Sequence, residues 1–151
     1  MICLRVSDRK KDLTKLSNGE FVSLGKIESA LRSSVFVENI AICTWPAANY
    51  VVALIQPNRQ AITTLTTEKL GLKSLDTLEK QFKDDQVKKA VLNDLINVGK
   101  GRGLSVKELP KRVHLATEEW TQDNHLVTAA LKLRRKQVIE FYAKEIKQLF
   151  C

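Results

Sequence analysis

The chain has 151 residues, 44% apolar and 28% charged, a size for one domain with its own core and a balance too apolar for intrinsic disorder. Its 25 Lys and Arg against 17 Asp and Glu give a formal charge of +8, which suits an anionic partner (nucleotide phosphate, CoA, nucleic acid or acidic membrane) without choosing among them. Three scattered cysteines (Cys3, Cys43, Cys151) and two histidines (His114, His125) form no CxxC or Cys/His cluster, which argues against a zinc site or disulfide framework and for a reducing compartment.

No apolar stretch approaches the roughly 20 residues of a membrane span, and Met1-Ile2-Cys3-Leu4-Arg5 does not read as a signal peptide. Residues 4–6 alternate like a strand end and run into the charge cluster of residues 8–12, expected to be an exposed connector. Residues 13–16 alternate, and Ser17-Asn18-Gly19 is turn chemistry. Leu24, Ile27 and Leu31 then share one helical face, with Lys26, Ser29 and Arg32 outside it.

Residues 35–45 and 50–55 are rich in β-branched and aromatic side chains around the Pro46 loop, which predicts an antiparallel strand pair. Residues 51–55 are continuously apolar, as in a strand covered on both faces. Residues 59–70 and 75–83 read as short helices separated by Gly71. Val87, Val91, Leu95 and Val98 mark an amphipathic helix ended by Gly99, Gly101 and Gly103. Those glycines make no phosphate-binding loop, because no strand precedes them and no Lys-Ser/Thr opens a helix after them.

Residues 112–115 predict a third strand in which His114 is a packed residue. A closing helix from about Leu131 puts Val138, Tyr142, Ile146 and Leu149 on one face and Arg134, Arg135, Lys136 and Lys144 largely elsewhere. The sum is an α+β domain with a small, mainly antiparallel sheet flanked by helices. No set of residues completes a catalytic constellation, and composition alone supports only a soluble basic α+β domain.

Two segments point further. Residues 8–28, DRKKDLTKLSNGEFVSLGKIE, resemble a stretch of the eukaryotic long-chain fatty acyl-CoA synthetases, members of the adenylate-forming superfamily. Trp120-Thr121 followed by residues 126–136, LVTAALKLRRK, resembles that family's closing motif. Between them, Tyr50-Val51-Val52 and Pro57-Asn58 are similar to a further family run, so the likeness is in order and spans nearly the whole chain.

The resemblance implies the C-terminal lid domain (residues 13–151) of such a ligase, with residues 1–12 ending the linker and hinge from a missing N-terminal adenylation domain. It implies ATP, CoA and Mg2+ as cofactors, none held by this chain alone, and fatty acid as substrate. No metal site and no nucleic-acid partner are expected. It further implies an intracellular, membrane-associated full-length enzyme at the endoplasmic reticulum or another organelle, with this domain soluble and inactive by itself.

By the same resemblance Lys132 matches the lysine brought to the carboxylate and α-phosphate in the first step. Arg9 matches a linker arginine on the adenylate, where a planar fork suits phosphate or ribose oxygens. Lys11 matches the hinge and, with Lys15, the nucleotide-binding set. Gly19 matches a loop facing the CoA tunnel. Asn124-His125 stands where the family often has Thr-Gly, and Ala129 where an Asp is common. A competing reading is a freestanding basic binding module for an anionic membrane surface or nucleic acid.

Overall fold

A computed structural model describes residues 13–72 and 74–150. Arg9, Lys11 and the linker and hinge expected over residues 1–12 lie outside them. Strands β1 (Leu13–Lys15) and β2 (Phe21–Ser23) form an antiparallel hairpin with Lys15 opposite Phe21. Its turn is closed by the Leu16 N–H donating to the Glu20 carbonyl (2.7 Å) and by the Asn18 side chain accepting from the Glu20 N–H (3.1 Å). Gly19 has φ +88°, a left-handed setting that costs glycine nothing and that side chains avoid. Helix α1 (Leu24–Leu31) follows at once because Ser23 caps it, its side chain accepting from the Lys26 N–H.

The centre is a three-stranded sheet ordered β3 (Val37–Cys43), β4 (Val52–Pro57), β5 (Val113–Leu115). β3 and β4 are antiparallel, with Ile40 opposite Ile55 and Cys43 opposite Val52. β5 is parallel to β4, with Leu54 beside His114. The alternation of the sequence did not carry this direction. It follows from the helical crossover between β4 and β5, since parallel neighbours need a long connection. That crossover holds α2 (Arg59–Thr64), a π-helical turn (Leu65–Lys69), α3 (Leu78–Lys83) and α4 (Asp85–Gly101).

Successive strand residues feed opposite faces of the sheet. Ile40, Ile42, Ala53 and Ile55 join Ile27, Leu31, Val91 and Leu95 in one core. Ala41, Cys43, Val52 and Leu54 join Trp120, Leu126, Val127, Val138 and Tyr142 in the other. The central strand is thus covered on both sides, as its unbroken apolar run predicts. Burial pushes the Cys43 thiol up to about 12, so it is a core residue and not a nucleophile.

Two helix endings depart from expectation. α4 runs through Gly99 and Gly101, and only Gly103 takes a positive φ, of +86°. Gly99 is buried, and a Cβ there would stand 2.6 Å from Leu109 Cδ2; it is a packing glycine, not part of a loose exit. The closing helix begins at Arg135, not near Leu131, and is two pieces, α5 (Arg135–Phe141) and α6 (Ala143–Phe150). Residues 131–134 are held instead by a hairpin described below.

His114 is packed, its ring 5.6 Å from that of Tyr142. Burial holds its imidazole below the ordinary value; Glu145 and Glu118 oppose that shift, and Lys88 adds to it. The unfolded chain therefore binds more protons than the native one from about pH 6.5 downward, and stability falls with pH until the native imidazole also titrates. Replacing it by His114→Gln is expected to shrink the loss in urea midpoint between pH 7 and pH 5. An undiminished loss would mean that other groups carry it.

Candidate functional site

Lys132 lies on a short hairpin between the second core and α5. Its inner arm is anchored by Leu126 and Val127, both buried, and Val127 pairs antiparallel with Leu133. The loop between is closed by three hydrogen bonds. The Thr128 N–H donates to the Lys132 carbonyl (2.8 Å), the Leu131 N–H to the Thr128 carbonyl (2.8 Å), and the Lys132 N–H to Thr128 Oγ1 (3.1 Å). The backbone of Lys132 is thus fixed on both sides, while its side chain is exposed. Among the described residues its ammonium has no hydrogen-bond or ion-pair partner.

Leu131, immediately before it, has φ +62° and is 67% exposed. A bulky residue in the left-handed region costs about 1–2 kcal/mol, and this side chain recovers little by packing. Leu131→Gly is therefore expected to raise stability by about 0.5–1 kcal/mol after the extra unfolded-state entropy of glycine. Urea denaturation at unchanged slope reads this; a lower midpoint would refute it.

The substitutions at 124 and 125 leave this loop intact. The Asn124 side-chain amide donates to the Glu119 carbonyl (2.6 Å), and its oxygen accepts from the Thr121 N–H (3.0 Å). His125 takes φ +64°, the setting a glycine would adopt. Ala129 is exposed in the loop and brings no polar contact of its own.

Lys15 and Gly19 sit together on the other hairpin, at β1 and its turn. Lys15 is exposed. The Ser17 N–H donates to the Ala48 carbonyl (3.1 Å), and Glu20 pairs with Lys107 (2.9 Å), so this turn lies against the β3–β4 loop. Among the described residues no hydrogen bond or ion pair joins the Lys15–Gly19 hairpin directly to that of Lys132.

What links them was not visible in sequence. Glu28 on α1 and Arg135 at the start of α5 form a two-armed ion pair, with Nη1 to Oε2 at 2.5 Å and Nη2 to Oε1 at 2.7 Å. Between them lies Ile42 of β3. Its N–H donates to Glu28 Oε2 (2.8 Å), and its carbonyl accepts from Arg135 Nη1 (3.0 Å). The basic face expected for the closing helix therefore loses Arg135, which is half-buried. One signal was available: Glu28 is four residues from Leu24 and three from Leu31, a carboxylate on an apolar face, and such a charge needs a partner.

Among the described residues no group of three or more His, Cys, Asp or Glu is disposed to hold a metal, and no helix is long and apolar enough to cross a membrane. One cavity lies away from both hairpins, between His114, Tyr142, Glu118 and Glu145.

The fold is shared with solved adenylation domains. The A domain of carboxylic acid reductase from Segniliparus rugosus, in complex with AMP and a co-purified carboxylic acid, superposes with a TM-score of 0.78 at 26% identity. The match covers 94% of this chain and 20% of that one. The corresponding domain from Mycobacterium chelonae gives 0.77 at 26%, again over 94% and 20%. The fold is thus that of a domain of the adenylate-forming enzymes.

Among curated proteins the chain is 43% identical to long chain acyl-CoA synthetase 8 of Arabidopsis thaliana, over 99% of its own length and 20% of the relative's. It is 38% identical to long-chain-fatty-acid–CoA ligase 1 of Schizosaccharomyces pombe, over 98% and 22%. No family model matches the chain. The chain belongs to the long-chain acyl-CoA synthetase family, matching the C-terminal part of its members and spanning about a fifth of their length.

Proposed function

We propose that this chain serves as the mobile C-terminal domain of an AMP-forming long-chain fatty acid–CoA ligase. In the first step a fatty acid carboxylate oxygen bonds to the α-phosphorus of ATP, and the bond to pyrophosphate breaks. In the second, the CoA thiolate attacks the acyl carbon and AMP leaves. The observation that carries the reading is the Lys132 hairpin, a rigid backbone presenting an unpartnered ammonium, within a chain related to such ligases along its whole length.

A cation held there offsets the repulsion between carboxylate and phosphate and stabilises charge developing during attack. Lys15, with Arg9 and Lys11 of the linker, completes the nucleotide contacts, Lys11 serving as the hinge. Gly19 faces CoA in the second orientation, where the lack of a side chain permits close approach. Magnesium, on this reading, arrives with ATP as part of the substrate. The full-length enzyme, on this reading, works inside the cell at an organelle membrane such as the endoplasmic reticulum.

The test is a chimaera in which this chain replaces the matching C-terminal fifth of the Arabidopsis relative. With fatty acid, MgATP and CoA it is expected to form acyl-CoA, while the 151-residue chain alone forms none. A folded, inactive chimaera, or an active isolated chain, would sink the proposal.

A further inference from the structure

We infer that Arg135 is a positioning residue for the adenylation step, holding the Lys132 hairpin through its fork on Glu28 and Ile42; the inference rests on the role proposed for Lys132. Arg135 follows Lys132 by three residues, with only Leu133 and Arg134 between them. Leu133 closes the hairpin against Val127, and the Arg134 N–H donates to the Leu126 carbonyl (3.0 Å). The next residue is the one locked into the protein body.

The geometry of the lock favours placement over mere attraction. One guanidinium meets both Glu28 oxygens and the Ile42 carbonyl, and Glu28 in turn accepts from the Ile42 N–H. Three elements, α1, β3 and α5, therefore meet at a single planar group whose donors have fixed directions. The loop it terminates contains a leucine at φ +62°, a conformation that persists only where its ends are held. A shift at Arg135 reaches Lys132 through two residues, Leu133 and Arg134. On the other side, Glu28 stands in the helix capped by Ser23 of β2, so the same clamp fixes the Lys132 hairpin relative to the element that follows the Gly19 hairpin.

Arg135→Lys tests this, because an ammonium keeps the charge but cannot bridge both carboxylate oxygens and the carbonyl in one plane. In the 151-residue chain, amide hydrogen exchange is expected to speed up at Thr128, Leu131 and Lys132 and to stay unchanged in the β3–β4 ladder. In the chimaera, the single-turnover adenylation rate is expected to fall about 10–100-fold, as displacement of a reacting group by an ångström does. KM for ATP and thioester formation from supplied acyl-adenylate stay near their starting values. Lys136→Ala, which removes an exposed neighbouring charge, is the control and is expected to change neither readout.

Unchanged exchange at the hairpin, or faster exchange throughout the domain, would overturn the positioning role whatever Lys132 does. Faster hairpin exchange with undiminished adenylation would also overturn it. In that case Lys132→Ala in the same assay shows whether the lysine reading fails with it or stands alone.

Discussion

Lys132→Ala is expected to slow acyl-adenylate formation by about 10²–10³-fold in the full-length enzyme, the usual effect of deleting one preorganised electrostatic contact to a developing charge. Its backbone amide and carbonyl are both bonded to Thr128, so truncation at Cβ leaves the hairpin in place and removes the ammonium alone. Thioester formation from supplied acyl-adenylate is expected to be largely spared if, as proposed, the domain presents a different face in that step. Single-turnover assays of each half-reaction separate the two. Lys136→Ala and Lys144→Ala are suitable controls, since both side chains are exposed and each removes one positive charge. Arg135→Ala is not, because it breaks the pair with Glu28. A Lys132→Ala variant indistinguishable from the controls in adenylation would reduce Lys132 to part of a basic surface.

Tyr142→Ala is expected to destabilise the domain by about 3–5 kcal/mol, the range for removing a buried aromatic side chain. Tyr142 is 2% exposed and lies in the core that also holds Leu126 and Val127, the inner arm of the Lys132 hairpin. Its hydroxyl accepts from Trp120 Nε1 (2.9 Å) and donates to Glu118 (2.9 Å). Burial and the bond to Glu118 push its phenol above the usual range, so it remains neutral and donating at physiological pH. Tyr142→Phe keeps the ring but leaves the Trp120 N–H without its acceptor, and is expected to cost about 1–3 kcal/mol. Guanidinium denaturation followed by tryptophan fluorescence reads both. A Tyr142→Phe variant of unchanged midpoint would show that water replaces the hydroxyl at no cost.

Much of the fold, including the turn that carries Gly19, was legible in the chain because its signals are local. The turn at Ser17-Asn18-Gly19 needs only an Asx contact and a residue tolerant of positive φ, both encoded within four residues. The antiparallel β3–β4 pair follows from two apolar runs and a short loop, and the cover on both faces of β4 from its lack of polar alternation. The α+β class, the order of elements and the family resemblance all rest on features of this kind. The resemblance also supplied Lys132; the structure adds that its backbone is fixed and its ammonium exposed.

Other features escape the patterns that can be read along the chain. The direction of β5 depends on where the helical crossover from β4 returns the chain. The late start of the closing helix depends on Leu131 being held in a left-handed setting by bonds to Thr128, although Leu131 and its neighbours read as helix formers. Arg135 looks like one more cation in the run from Lys132 to Lys136; its pair with Glu28, 107 positions away, and its bond to the Ile42 carbonyl make it structural. By itself the sequence determined most of the elements and the two-sided cover of β4, because periodicity and turn chemistry act over a few residues. Only the tertiary structure decided which charges are buried and paired, because the cost of burying a charge is set by whatever the fold brings beside it.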